Sequence, residues 1–354
     1  MNVSSSLLLN EAGIANPEAH WLIIGGEADL ALAVADQAQP MHLVWIPYDA
    51  MELAKLGNDP RIQVHHRPVE APGPPNSFDI VLIPGMSDRD LNRRSLAIAK
   101  QTVRSIGWVV VAGANNEGVR SFLSDAHQMF SDPFYSDYRS KHRIATFEGI
   151  ELTEQPPEWS STAGIQPGSW IDTGVFLAGQ KVMHATTSGV FSANGVDEGT
   201  RMLLEHFDVQ PGQHVLDVGT GSGIIGAYAR AMKGIVTMTD SSLIAIAAAR
   251  RTVVLNEFDG VHVVAGNTYE PIQQDRFDVI VSNPPFHKGR HVDHSMSERL
   301  LSEAPAHLEP GGHLLVIANS FLSYGKQMKR HFRDVETVAS NRRYHLIGAS
   351  TPLT

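Results

Sequence analysis

The order and spacing of strand-like runs constrain the fold of this chain more than any other feature. The segment FDIVLIPGM in the first half resembles FDVIVSNPPF in the second. Gly25 and Asp79 are 54 residues apart, and Gly219 and Asp278, in the same positions of the second half, are 59 apart. Matching order and near-matching spacing predict two copies of one unit. The alternative is a rhythm of strands and helices that arose twice by convergence.

Short β-branched runs alternate with amphipathic stretches in both halves, which is typical of βα units stacked into a mostly parallel sheet. We expect strands at 21–26, 42–47, 78–85, 107–113, 214–219, 234–240, 261–266, 277–283 and 311–319. The Pro/Gly/Ser-rich stretch from about 150 to 185 predicts a connection between domains. The expected fold class is therefore α/β, with two tandem Rossmann-like domains at 1–165 and 166–354.

Composition limits the classes of protein to which the chain can belong. No apolar run is long enough to span a bilayer, and the absence of cysteine excludes disulfides and cysteine-based zinc sites. We expect a cytoplasmic protein with no membrane partner. The net charge of −10 argues against a nucleic-acid partner, but residues 1–178 carry −9 of it and residues 179–354 only −1. A polyanion could therefore meet the second half; a solvated surface without a partner is the alternative.

A glycine-rich loop follows the first strand of the second half. In VLDVGTGSGIIG, the glycines Gly219, Gly221 and Gly223 stand between a strand and a helix, where glycine allows positive φ and close approach of a ligand. Asp217 precedes the loop, and its negative charge would repel a diphosphate and attract a cation. S-adenosylmethionine, which carries an ammonium and a sulfonium, fits this pattern better than NAD.

Polar residues end the next two predicted strands. Asp240 ends the second strand, where a carboxylate of a doubly wound sheet can accept hydrogen bonds from both ribose hydroxyls. Asn267 follows the third strand and could bond the adenine edge. These positions favour a bound nucleoside, with NAD as the competing cofactor and a purely structural glycine turn as the alternative for the loop.

The fourth strand of the second half ends in the tetrapeptide Asn-Pro-Pro-Phe. The prolines stiffen the loop and remove two backbone donors, so that the Asn283 side-chain oxygen and the Pro284 carbonyl can each accept one N–H of an exocyclic amine. This arrangement would aim the nitrogen lone pair at a methyl group. Phe286 offers a flat face on which a base can stack, worth about 1–3 kcal/mol. A rigid turn that only caps a buried strand is the alternative.

The motifs VLDVGTGSGIIG, TMTD and FDVIVSNPPFH together resemble those of class I S-adenosylmethionine-dependent methyltransferases that modify amino groups. More narrowly, the chain is similar to the ribosomal RNA small subunit methyltransferase C family of guanine-N2 methyltransferases. Supporting segments are TTSGVFSANGVDEGTRMLLEHF at 186–207 and VVAGANNEGVRSF at 110–122. The resemblance covers nearly the whole chain and is more specific in the second half.

The resemblance implies a degenerate first methyltransferase-like domain that serves docking or folding, and a catalytic second domain. It implies an enzyme that uses S-adenosylmethionine to methylate the N2 amine of a guanine in small-subunit (16S) rRNA, with Phe191 and Thr200 lining the cofactor pocket. A monomer is expected, with ribosomal RNA or a ribosomal subunit as partner and no DNA. Rival substrates are a large-subunit guanine, adenine N6 and a protein glutamine. A noncatalytic RNA-binding or assembly factor is the rival from another class.

Some chemically suggestive residues receive no role. His287, His291 and His294 lie close together with Asp293, but no third ligand stands at a recognised metal spacing, so we expect no metal. The segment 93–105 predicts an amphipathic helix with a basic solvent face that could touch phosphates. Arg342 and Arg343 could do the same.

Overall fold

A computed structural model describes residues 1–12, 18–149, 156–177, 179–191, 195–284 and 294–353. The chain forms two compact units, Met1–Trp170 with Thr187–Gly189, and Ile171–Thr186 with Val190–Thr354. The predicted domain boundary at residue 165 falls shortly before this division.

The first unit contains one seven-stranded sheet with the strand order β3-β2-β1-β4-β5-β7-β6. Its strands are β1 His20–Ile24, β2 His42–Ile46, β3 Ile62–Val64, β4 Phe78–Pro84, β5 Val103–Ala114, β6 Tyr135–Arg139 and β7 His142–Glu148. Its helices are α1 Val3–Ala12, α2 Ala28–Gln37, α3 Ala50–Leu56, α4 Arg89–Thr102 and α5 Val119–Phe130. β1 to β5 pair in parallel, and β7 and β6 add two antiparallel strands at one edge.

The second unit repeats this topology. Its hairpin strands are β8 Ile171–Leu177 and β9 Gln180–Thr186, and its sheet strands are β10 His214–Val218, β11 Ile235–Asp240, β12 His262–Ala265, β13 Phe277–Ser282, β14 Leu308–Asn319, β15 Phe332–Ser340 and β16 Tyr344–Pro352. Its helices are α6 Glu198–His206, α7 Ile224–Ala231, α8 Leu243–Leu255, α9 His294–Glu303 and α10 Tyr324–Met328. The sheet order is β12-β11-β10-β13-β14-β16-β15, which matches the first sheet strand for strand.

Alternation along the central strands explains the layered packing. Side chains of successive strand residues point to opposite faces of a sheet. In β1, Trp21 and Ile23 belong to one buried cluster and Leu22 and Ile24 to another. β10 and β13 divide in the same way between two clusters of the second unit. Each sheet is therefore covered by helices on both faces, as near-continuous apolar strands of a parallel sheet require.

Local details also repeat between the units. The backbone N–H of His20 donates to Asp79 Oδ2 at 2.8 Å, and that of His214 donates to Asp278 Oδ2 at 2.8 Å. The pairing of β4 with β5 and of β13 with β14 is interrupted by a bulge directly after the first pair in both sheets. The same strand order, the same backbone-to-aspartate hydrogen bonds and bulges at the same positions confirm two tandem copies of one fold.

The structure adds elements that the sequence patterns do not predict. The stretch interpreted as a connection, 150–185, contains the antiparallel hairpin of β8 and β9. The last two strands of each sheet are antiparallel and lie outside the predicted strands.

The expected basic solvent face of the segment 93–105 is wrong at Arg94. This side chain is fully buried and donates to the carbonyls of Gly164 and Ser188 and to the Thr187 hydroxyl. Burial without a carboxylate partner lowers the pKa of Arg94 to about 10. Among the described residues, no helix is both long and apolar enough to cross a membrane.

Candidate functional site

The strand order of the second sheet places the candidate site between β10 and β13. β11 and β12 lie on one side of β10 and β13 lies on the other, so the strand order reverses between β10 and β13. Ligands of open α/β sheets bind at such a point, beyond the carboxyl ends of the strands. Gly219, Asp240, Asn267 and Asn283 all come at or just after the carboxyl ends of four neighbouring strands. The structure thus gathers these predicted residues at one sheet edge.

The glycine loop has the backbone conformation that favours glycine. Gly219, Gly221 and Gly223 have φ of 71°, 56° and 79°. A Cβ on Gly223 would lie 2.9 Å from the Cα of Ala249, so the loop packs closely on α8. A Cβ on Gly221 would meet nothing within 4 Å, which leaves this part of the loop open to a ligand.

Asp217 lies beneath the loop and is fully buried. Its Oδ2 accepts the Thr220 hydroxyl at 2.6 Å and the backbone N–H of Gly226 at 3.0 Å, whereas Oδ1 has no hydrogen-bond partner among the described residues. Burial raises the pKa of Asp217 to about 7, because desolvation disfavours the carboxylate more than these two bonds stabilise it. A nearby cation would restore the charged form.

Asp240 connects the loop to the helix that follows β11. Its Oδ2 accepts the backbone N–H of Gly221 at 2.9 Å, and its Oδ1 accepts that of Ser242 at 2.8 Å. Asp240 therefore fixes the loop, and its role as acceptor of the ribose hydroxyls stays a prediction.

Asn267 comes two residues after the end of β12, the strand that pairs with β11 and Asp240. The backbone N–H of Gly266 donates to the carbonyl of Asp240 at 3.0 Å, and Asn267 is half-buried directly after it. Its side chain makes no hydrogen bond to another described residue. This position is compatible with the predicted contact to a base, which stays a prediction.

Asn283 is held by the helix that precedes the glycine loop. Its Nδ2 donates to Thr200 Oγ1 at 2.8 Å and points toward Asp197 Oδ2 at 3.4 Å. Thr200 in turn donates its hydroxyl to Asp197 Oδ2 at 2.5 Å. Asn283 is 9% exposed, and its Oδ1 is buried with no hydrogen-bond partner among the described residues. An unpaired buried acceptor is costly, so a hydrogen-bond donor from a ligand is the expected partner.

Of the predicted residues Phe286, Phe191 and Thr200, the structure describes the last two. Phe286, the proposed stacking platform, lies outside the described residues, as do His287, His291 and Asp293. Phe191 is 53% exposed and stands immediately before residues 192–194, which are also outside the described part. Thr200 is buried, and its hydroxyl contacts Asn283 and Asp197.

Sequence reasoning missed Asp197. Its Oδ1 accepts the backbone N–H groups of Gly199 at 2.9 Å and Thr200 at 3.1 Å, so it is the N-cap of α6. An acidic residue directly before a helical pattern is a recognisable capping signal. Nothing in the sequence indicates that the same carboxylate faces a residue far along the chain. Across the described ranges, no group of three or more His, Asp or Glu side chains is placed to hold a metal.

The first unit has the same sheet edge without the same site. The backbone N–H of Gly25 donates to the carbonyl of Ile46 at 2.9 Å, as that of Gly219 does to Thr239 at 2.8 Å, so the two loops correspond. A Cβ on Gly25 would lie 3.1 Å from Tyr48 and 3.6 Å from Met86. On the corresponding Gly219, a Cβ would lie 3.4 Å from Met296, so a side chain lies close to the first glycine of the loop in both units.

Residues at the other key positions of the first unit also differ. In strand register, Ile23 takes the place of Asp217 and Pro84 that of Asn283. Neither side chain can accept a hydrogen bond. The first copy is therefore degenerate.

Comparisons with known proteins agree with this geometry. Residues 181–348 match the model of the methyltransferase small domain. The chain is 35% identical over 249 residues to ribosomal RNA small subunit methyltransferase C of Photorhabdus laumondii, covering 68% of both chains. The chain belongs to the ribosomal RNA small subunit methyltransferase C family.

Other members match over a shorter part. The protein of this name from Pseudomonas paraeruginosa is 38% identical over 178 residues, and the match spans 50% of this chain and 53% of the relative. The chain thus spans about half the length of this relative and of two others from Pseudomonas aeruginosa. Among solved structures, the 16S rRNA N2 G1207 methyltransferase of T. thermophilus, in complex with AdoMet and guanosine, covers 99% of this chain and is itself covered to 92%. Its TM-score is 0.79 at 20% identity, which supports the two-unit fold.

Proposed function

We propose that this chain transfers the methyl group of S-adenosylmethionine to the exocyclic N2 amine of a guanine in small-subunit (16S) ribosomal RNA. The observation that carries the proposal is the Asn283 side-chain oxygen, buried without a partner among the described residues beside the glycine loop. Membership of the family supplies the substrate class. The T. thermophilus protein of the same fold is described in complex with AdoMet and guanosine, which supports this choice of donor and base.

The residues at the sheet edge fit the proposed donor. When bound, the donor would supply an electrophilic methyl on a sulfonium. The open space beside Gly221 leaves room for the donor against the backbone of the loop. The buried Asp217 Oδ1, which has no partner among the described residues, suits the positive charge of the donor. Asp240 would accept ribose hydroxyls, and Asn267 would bond the adenine edge. Phe191 would cover the ligand from the solvent side.

Asn283 and Pro284 would orient the attacking amine. An exocyclic amine is a poor nucleophile because its lone pair is delocalised into the ring. Donation of one N–H to Asn283 Oδ1 and the other to the Pro284 carbonyl would favour pyramidal nitrogen and direct its lone pair at the methyl carbon. The C–N bond forms as the S–C bond breaks, and the alkylated nitrogen then loses a proton to water. No strong base is required beforehand, and Phe286 would hold the base by stacking.

The charge of the second unit supports an RNA substrate at this edge. The turn between β15 and β16 lies at the carboxyl end of β14, because Asn319 of β14 pairs with Tyr344 of β16 and the backbone N–H of Ser320 donates to the carbonyl of Arg343 at 2.9 Å. Arg342 and Arg343 are exposed in the turn between β15 and β16. These two cationic side chains, at the sheet edge where β14 ends, would neutralise phosphates. A target base within a helix would have to be flipped out, at a cost of a few kcal/mol.

The degenerate first unit would serve docking or folding, because Ile23 and Pro84 stand where the second unit has Asp217 and Asn283. With a ribosomal substrate, the protein would act in the cytoplasm as a monomer. The test is methyl transfer from labelled donor to naked 16S rRNA, isolated small subunits, large subunits and whole ribosomes. Label in small-subunit RNA supports the proposal. Label in large-subunit RNA or in protein would reassign the substrate, and no label on any of them would leave the noncatalytic interpretation.

A further inference from the structure

We propose that Asp197 and Thr200 are positioning residues that fix which end of the Asn283 amide faces the substrate. The inference rests on the proposed amine-methylating function, and it adds a device that neither the motif nor the family assignment specifies. The three side chains form a hydrogen-bond chain with one allowed direction.

The direction follows from the chemistry of each group. The carboxylate of Asp197 can only accept, so the Thr200 hydroxyl must donate to it. With its proton committed, Thr200 Oγ1 can only accept from Asn283, which requires the amide nitrogen and not the oxygen on that side. Asp197 Oδ2, 3.4 Å from Nδ2, favours the same orientation directly. The amide oxygen is thereby turned away from α6, to where it has no partner among the described residues.

This direction decides whether the site can hold an amine. With Oδ1 presented, Asn283 accepts an N–H of the target and leaves the nitrogen lone pair directed elsewhere. A flipped amide would present its N–H groups to the N–H groups of the target amine. The hydrogen bond would then be lost, and buried N–H groups would be left unpaired. An asparagine without a fixed neighbour can adopt both orientations, because its oxygen and nitrogen differ little in shape. The chain from Asp197 removes that ambiguity.

Asp197 both caps α6 and accepts from Thr200, and a suitable substitution separates these two roles. Asp197 also caps α6 through its Oδ1, so alanine there would weaken the helix and confuse the result. Asp197→Asn is sharper, because the new side chain can cap with its oxygen while its nitrogen takes the place of Oδ2. That nitrogen donates to Thr200, whose hydroxyl must then donate onward, and the Asn283 amide flips. The variant therefore reverses the direction of the hydrogen bonds without removing the cap of α6.

The kinetic test compares three variants under saturating S-adenosylmethionine and RNA. Thr200→Val removes the hydroxyl at equal size, and Thr200→Ser retains it. Asp197→Asn reverses the direction of the hydrogen bonds from residue 197 to Asn283. We expect kcat to fall at least tenfold for Thr200→Val and Asp197→Asn, with a smaller change in donor Kd because Thr200 is also predicted to line the cofactor pocket, and Thr200→Ser to recover most of the turnover. Equal kcat for the valine and serine variants, or an effect confined to donor Kd, would overturn the assignment.

A double-mutant comparison distinguishes positioning from general damage. In an Asn283→Ala background, Thr200→Val and Asp197→Asn should lower kcat by less than twofold further, because their effect passes through the missing amide. Additive decreases in kcat would show that both residues act by another route.

A readout without turnover keeps this inference separate from the proposed function. The side-chain NH₂ signals of Asn283, assigned by their disappearance in Asn283→Ala, should be protected from hydrogen exchange in the wild type and lose that protection in Thr200→Val. Unprotected signals in the wild-type protein would refute the hydrogen-bond chain even if methyl transfer occurs. Protected signals in a protein that methylates no RNA would retain the chain and reject the function.

Discussion

Thr200 Oγ1 accepts a hydrogen bond of 2.8 Å from the side-chain nitrogen of Asn283, a residue 83 positions later in the chain. This contact joins the helix before the glycine loop to the end of β13. It means that the amide of the Asn-Pro-Pro-Phe motif is not an isolated loop feature. Its orientation depends on a segment that the motif itself does not contain.

Removal of the Asn283 side chain should separate binding from chemistry. We expect Asn283→Ala to bind S-adenosylmethionine with nearly wild-type affinity and to lower kcat at least tenfold, because the amide acts on the amine and not on the donor. Calorimetry measures donor affinity, and steady-state methyl transfer at saturating substrates measures kcat. Unchanged turnover would remove the amine-orienting role.

The carboxylate of Asp240 should control donor affinity. Asp240→Ala loses the predicted acceptor of the ribose hydroxyls and also releases Gly221 and Ser242, so we expect at least a tenfold increase in donor Kd. Asp240→Asn is the matched control, since it keeps two heavy-atom positions but only one acceptor, and should give an intermediate value. Wild-type affinity of the alanine variant in calorimetry would refute the ribose assignment.

The raised pKa of Asp217, about 7, predicts that donor affinity depends on pH. A cationic donor favours the ionised carboxylate, so its Kd should decrease as pH rises from 6 to 7.5. Asp217→Asn cannot ionise and should show only the titration of the donor itself. Parallel pH profiles for the two proteins would contradict a charge interaction at Asp217.

The same pKa has a consequence for stability without ligand. Because the folded-state pKa lies above the unfolded value of 3.8, ionisation of Asp217 opposes folding. The stabilising effect of the neutral form is complete below the unfolded pKa and is lost as pH rises through about 7. Denaturant unfolding of wild type and Asp217→Asn between pH 4 and 8 should show this difference, and S-adenosylmethionine should reduce it.

The basic turn between β15 and β16 should contribute affinity for RNA without contributing chemistry. Replacement of Arg342 and Arg343 by alanine should weaken RNA binding and reduce the slope of log K against log salt by about 0.7–0.9 for each phosphate that the protein no longer neutralises. Donor affinity should not change. Lys233→Gln serves as control, because this residue precedes β11 at the opposite edge of the sheet. An equal effect of the control would indicate nonspecific attraction only.

Much of the fold follows from local sequence patterns. The apolar runs at β10, β11, β13 and β14 and the helical spacing of α8 are visible because a parallel strand and an amphipathic helix have distinct periods. β6 and β15 escape such patterns because most of their side chains are exposed, which leaves no continuous apolar run. The burial of Arg94 escapes them too, because it depends on acceptors from Gly164, Thr187 and Ser188, which only the folded chain brings together.

The candidate site shows the same limit. Asp217, Asp240 and Asn283 each end a strand, so their common edge follows from the topology of parallel sheets. The role of Asp197 does not, because its side chain reaches the site through Thr200 and through a tertiary contact. Capping patterns reveal that a helix begins there but not what its first turn faces.

Nucleoside analysis of RNA after methyl transfer tests the central claim most directly. Small-subunit rRNA lacking the modification would be incubated with labelled S-adenosylmethionine and either the wild-type protein or Asn283→Ala, then digested to nucleosides. We expect label in N2-methylguanosine with the wild type and at least tenfold less with the variant. Label in N6-methyladenosine, or equal N2-methylguanosine from both proteins, would contradict it.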